Sequence, residues 1–180
     1  MNKAYQAMRA YWLDVKNLQH KQEVPQLGVC KVCIAGVEMA ALDGQGAVKH
    51  ILIAASSLGN ASIYFENNSP SGLGGFTGGA SSDIIHEKAL KVLQKAAIST
   101  AHLLPVDELP SQDDPKQITL FTVSTDGQKR MTVLPEEQVR TQSHPLYAFF
   151  AYTQQLFSAF RAQQEAAQKA AAATAQANKE

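Results

Sequence analysis

The segment that most constrains this chain begins at Pro145. Leu146, Phe149, Phe150, Thr153, Leu156, Phe157 and Phe160 recur at spacings of three and four, which lays a wide apolar stripe along one face of a helix. The segment holds six of the chain's thirteen aromatic residues. A stripe of that width has to be buried against something, so the helix belongs to a packed core. After Arg161 the pattern stops, and residues 162–180 are almost wholly Ala, Gln, Thr, Lys and Glu, a composition that favours helix and supplies nothing large to bury. We therefore expect one domain over residues 1–161 and an Ala/Gln-rich tail, helical or disordered, over 162–180.

Upstream of that helix the patterns alternate between helix and strand. Residues 3–22 predict an amphipathic N-terminal helix, with Tyr5, Met8, Trp12, Val15 and Leu18 on one side and Pro25 stopping it, so that residues 1–25 form an N-terminal helical unit. The β-branched run over 27–42 reads as a strand or bent strand pair. Residues 47–58 fit either a helix closed by Gly59 or a buried strand turning at Gly59-Asn60, and the strand is preferred because residues 61–66 follow at once in strand-like composition. Ser82 or Asp83 caps a helix running to about Ser99. Asp126-Gly127, flanked by residues 117–123 and 129–134, is the clearest hairpin signal. Hairpins rather than crossovers connect these strands. The expected fold is α+β, with a small antiparallel sheet of four to five strands and two to three helices packed on one face.

Sixteen basic residues balance sixteen acidic ones, and no Lys/Arg cluster occurs, so nucleic acid is not expected as a partner. The apolar runs, residues 51–55 among them, are all far shorter than a membrane span, and the first fifteen residues lack the apolar stretch and cleavage site of a secretory signal. We expect a soluble cytoplasmic protein with no membrane partner. Two cysteines do not make a disulfide framework.

No motif carries a reaction. Cys30-Lys31-Val32-Cys33 has redox or half-zinc spacing, but it lies in a β-like run, where residues three apart point to opposite faces, and no further ligand pair stands elsewhere; two small buried hydrophobes are the expectation. The glycine-rich stretch 71–82 sits between strand and helix like a phosphate cradle, yet it lacks the Gly-Lys-Ser/Thr of a Walker loop and has Thr77 where the dinucleotide pattern needs glycine. His86-Glu87 opens like a zincin, but Leu90 occupies the place of the second histidine. We expect neither metal nor cofactor, and no catalytic residue.

The reading that follows is a non-enzymatic interaction module, an adaptor, inhibitor, chaperone or assembly component, binding a protein partner or its own copy. Its candidate contact residues are Leu73 and Phe76, apolar anchors among glycines, and Tyr147 and Tyr152, which fall off the main stripe of the last helix. The alternative is a small-ligand binder or enzyme that uses the glycine-rich loop 71–82 with His86 or Cys33 near it in the fold.

Overall fold

A computed structural model describes residues 1–17, 31–78 and 82–177. Helix α1 (Lys3–Leu13) is followed by strands β1 (Val32–Leu42), β2 (Val48–Ser56), β3 (Ala61–Glu66) and β4 (Leu73–Gly78). Helix α2 (Asp83–Ser99) leads to the short β5 (Leu104–Val106), the hairpin β6 (Gln117–Ser124) and β7 (Lys129–Pro135), a one-turn α3 (Glu136–Val139) and the long α4 (Tyr147–Ala177). All pairings are antiparallel, and the sheet order is β4-β3-β2-β1-β6-β7-β5.

The α+β class holds, with the N-terminal helix and the long C-terminal helix, but the described residues form a sheet of seven strands rather than four to five, and four helices rather than two to three. Two strands were hidden. Residues 73–78, read as loop because of their glycines, form β4, and residues 104–106, in the proline-containing connector between α2 and β6, form β5. The 47–58 segment is a strand. It resisted reading because its last five residues are all buried, with no alternation between faces.

Both faces of the sheet are covered, not one. On one side α2 and α4 bury Val37, Ile53, Ile63, Leu93, Phe149 and Phe160 in the larger core. On the other, α1 covers Ile34, Leu52, Tyr64 and Phe121 through Tyr5 and Trp12. This double burial explains why β1 reads as an apolar run broken only by Gly36 and Glu38. α1 ends at Leu13, with Asp14 in extended conformation and a single 3-10 turn at Val15–Asn17, shorter than the predicted 3–22; Leu18 and Pro25 lie outside the described residues.

Turns are set by local chemistry. Gly59 adopts a positive φ of 74° between β2 and β3, and Gly127 one of 86° between β6 and β7. Asp43 closes the β1–β2 turn by accepting from the N–H groups of Gln45 and Ala47, both at 2.9 Å. Helix α2 begins as expected, the Ser82 hydroxyl accepting from Ile85 N–H.

Helices α2 and α4 run antiparallel. The Ser99 hydroxyl reaches the Pro145 carbonyl where α4 starts, Lys95 Nζ sits 5.4 Å from the Tyr152 ring centre, and Lys88 Nζ donates to Gln155 Oε1 further along. At Phe160, α4 has reached the sheet's outermost strand, with its ring 6.4 Å from that of Phe76 on β4. The helix then continues without a break to Ala177. Every described side chain from Arg161 to Ala175 is exposed.

Candidate functional site

Two places stand out once the elements are assembled: a buried set of ionisable groups beneath α1, and the β4 edge where α4 leaves the sheet.

The first is built from strand positions facing α1. Glu38 on β1 is 2% exposed, an extreme position for a carboxylate. Its charge is matched by Arg9 of α1, which grips it with two prongs: Nε donates to Oε1 at 2.7 Å and Nη2 to Oε2 at 2.9 Å. The remaining Arg9 capacity goes to the carbonyls of Leu109 and Pro110, each at 2.8 Å, which ties the 107–116 connector to the same point. Tyr5 donates its hydroxyl to Glu38 Oε1 at 3.0 Å. Burial, and then the Glu38 charge and that hydrogen bond, raise the Tyr5 hydroxyl well above its ordinary range, so it stays a donor.

Beside this pair stands a second one. The His50 ring on β2 is flanked by Glu66 Oε2 at 2.6 Å on Nδ1 and by Asp113 Oδ1 at 2.7 Å on Nε2, and it lies 5.6 Å from the Tyr5 ring. With both nitrogens protonated the ring donates two charge-assisted bonds; with one, a lone pair faces a carboxylate oxygen. Burial works against the Glu66 charge, but donors from the His50 ring, the Asn2 backbone and the His50 backbone outweigh it, and the carboxyl sits below its usual range. The hydrogen bond from His50 lowers Asp113 in the same way. Asn2 completes the set: its backbone N–H donates to Glu66 Oε1, and its amide donates to the Gly72 carbonyl at 2.6 Å. Chemically the constellation could hold and pass protons, but each polar group named is engaged with another. Its evident work is to pin α1 and the connector to the sheet. Among the described residues no cluster of His, Cys, Asp or Glu has the arrangement to hold a metal.

At the second place the candidate contact residues appear in unexpected surroundings. Leu73 and Phe76 belong to strand β4 and point to opposite faces, Leu73 toward the α1 side and Phe76 against Phe65 and Phe160. They form no common patch. Tyr152 packs against the larger core under Lys95, and Tyr147 is half-buried at the start of α4. The glycines serve packing: a Cβ on Gly74 would meet the Phe65 ring at 2.4 Å, and one on Gly75 the Ile63 carbonyl at the same distance.

Exposed His86 lies against Gly59, whereas Cys33 is buried on the α1 side of the sheet. Cys33 donates to the Val123 carbonyl at 3.3 Å, and burial pushes its thiol up to about 11, far from a reactive thiolate. Cys30 and residues 79–81 of the glycine-rich stretch lie outside the described residues. A groove of about 430 Å³ lies between Pro105–Asp107 and Gly127–Lys129, and none of the ionisable set or the candidate contact residues lines it. None of the described helices is long and apolar enough to cross a membrane.

The ionisable set was missed in the sequence because its members span positions 2–113 with no fixed spacing. One signal was present. Glu38 interrupts a run of apolar residues and His50 stands at the head of one, and a charge inside a buried strand needs a partner. Comparison with family models, curated proteins and solved structures gives no match to this chain.

Proposed function

We propose that the chain is a non-enzymatic cytoplasmic interaction module, acting through protein contacts at the β4 edge and along the α4 arm. The observation that carries this is the arm itself: α4 spends its apolar half on the core, then runs on from Arg161 to Ala177 with every described side chain to Ala175 exposed. An arm of this kind, carried on a helix already nucleated in the core, presents its whole described surface for another protein to lie against. It leaves the sheet beside a strand whose outer ladder has no partner among the described residues. Main-chain groups along an open edge and a helix next to it are two standard ways of engaging another protein.

The test is capture from cells with the tagged full chain and with a chain ended at Arg161, each analysed by quantitative mass spectrometry. A stoichiometric partner, or untagged copies of the chain itself, held through a high-salt wash and lost on truncation, supports the reading. Equal recovery with both chains removes the arm from it.

A second reading, ligand or acid–base chemistry, draws on the Glu66–His50–Asp113 row, whose outer member Asp113 is exposed. An activity or ligand lost in His50→Gln and kept in the Arg161 truncation would favour it.

A further inference from the structure

We infer that the partner at the β4 edge is a second copy of this chain, joined through an antiparallel β4–β4 ladder with a twofold axis at Gly75. The inference rests on the interaction reading above and names its occupant.

The hydrogen-bond pattern of the sheet decides which groups face outward. Asn67 N–H donates to the Gly72 carbonyl at 3.1 Å, which makes that a hydrogen-bonded pair. Alternation along the β3–β4 register then turns the main chain of Gly74, Phe76 and Gly78 toward β3 and that of Leu73, Gly75 and Thr77 away from it. The neighbouring ladder agrees. Ser56 N–H donates to Asn60 O at 2.8 Å, so Ser62 and Tyr64 bond to β2 and leave Ile63 and Phe65 for β4. The outward set is evenly spaced about Gly75. A dyad there matches Gly75 to its own copy and Leu73 to Thr77 of the other chain, and every outward N–H and C=O finds a complement.

The opposite edge of the sheet is closed to such pairing. β5 is three residues long with Pro105 at its centre, the usual protection of an edge strand, whereas β4 carries neither proline nor charge. Moreover, a ladder this short covers too little surface for a stable dimer, which needs about 1,000 Å² or more. The arm supplies the difference. α4 meets β4 at Phe160 and continues for seventeen residues, Arg161 to Ala177, or about 25 Å at the helical rise. With the dyad normal to the sheet, both helical layers lie on one face, so each arm, once past the β4 edge, lies beside the α2–α4 layer of its partner. A lone peptide strand bound at this edge would leave the arm without a surface.

The experiment is light scattering on the purified full chain, together with amide exchange at Gly75. The expected mass at micromolar concentration is twice the 19.4 kDa of one chain. The Gly75 amide should exchange slowly at high concentration and at least tenfold faster on dilution. Thr77→Pro removes an outward donor while leaving the β3 ladder its bonds, so this variant should be a folded monomer by scattering and circular dichroism. Ending the chain at Arg161 should weaken the dimer at least tenfold. If Thr77→Pro fails to fold, the concentration dependence of Gly75 exchange in the unaltered chain still decides. A full chain that is monomeric at high micromolar concentration, or a dimer with Gly75 exchange independent of concentration, overturns the inference. If such a monomer still captures another protein through its arm, the interaction reading stands and only the occupant named here falls.

Discussion

Arg9 shows what a buried charge demands of its neighbours. Glu38 lies under α1 with two bonds from Arg9 and one from Tyr5, and removal of the arginine leaves an ionised group in the core with a single neutral donor. Arg9→Ala should therefore lose about 3–5 kcal/mol in urea unfolding. Replacing Arg9, Glu38 and Tyr5 together by Met, Leu and Phe should recover most of that loss, because the buried carboxylate and phenol go with the arginine and only the Leu109 and Pro110 carbonyls lose a donor. The Glu66 carboxyl gives a pH dependence with a definite sign. Its pKa is lower folded than unfolded, so its contribution is present above the unfolded value of about 4.3 and disappears as pH falls through the folded one. Urea stability should decline as pH drops below about 4, and Glu66→Gln should start less stable at neutral pH and decline less steeply over that window.

At the scale of elements, the last helix separates residues that its sequence makes look alike. Phe149 is fully buried, while Phe157 only packs partly against the same core. Thermal melting should show Phe149→Ala costing about 3–5 kcal/mol and Phe157→Ala clearly less. This helix was legible because its period matches one buried face, and so was the β6–β7 hairpin, because Asp126-Gly127 is a turn with a mechanism. β4 was not. Its glycines looked like loop punctuation, yet they are there because the Phe65 ring and the Ile63 carbonyl occupy the space a side chain would need. The α1 termination at Leu13 was equally hidden, since Val15 prolongs the apolar pattern past the point where Asp14 leaves helical geometry. The ionisable set needed the register itself: only the pairings Ala40↔His50 and Ile51↔Phe65 bring His50 and Glu66 close to Glu38 beneath one helix.

For the molecule as a whole, the arm is an addition to the core and not a part of it. Ending the chain at Arg161 removes no buried side chain among those described, so in dilute solution the near-ultraviolet dichroism of the buried aromatics should persist and unfolding stability should change by less than about 0.5 kcal/mol. The central strand raises a different matter, one of timing. β1 is hydrogen-bonded to β2 on one side and to β6 on the other, Ile34 facing both Ser56 and Val123. The first ladder closes from nearby sequence; the second waits for residues 117–124. At ordinary rates of synthesis that interval is roughly 4–15 s, during which a strand apolar on both faces presents a bare edge to its surroundings. Nascent chains arrested before β6 should accordingly be held by chaperones, and chains from which β6 and β7 have emerged should be released.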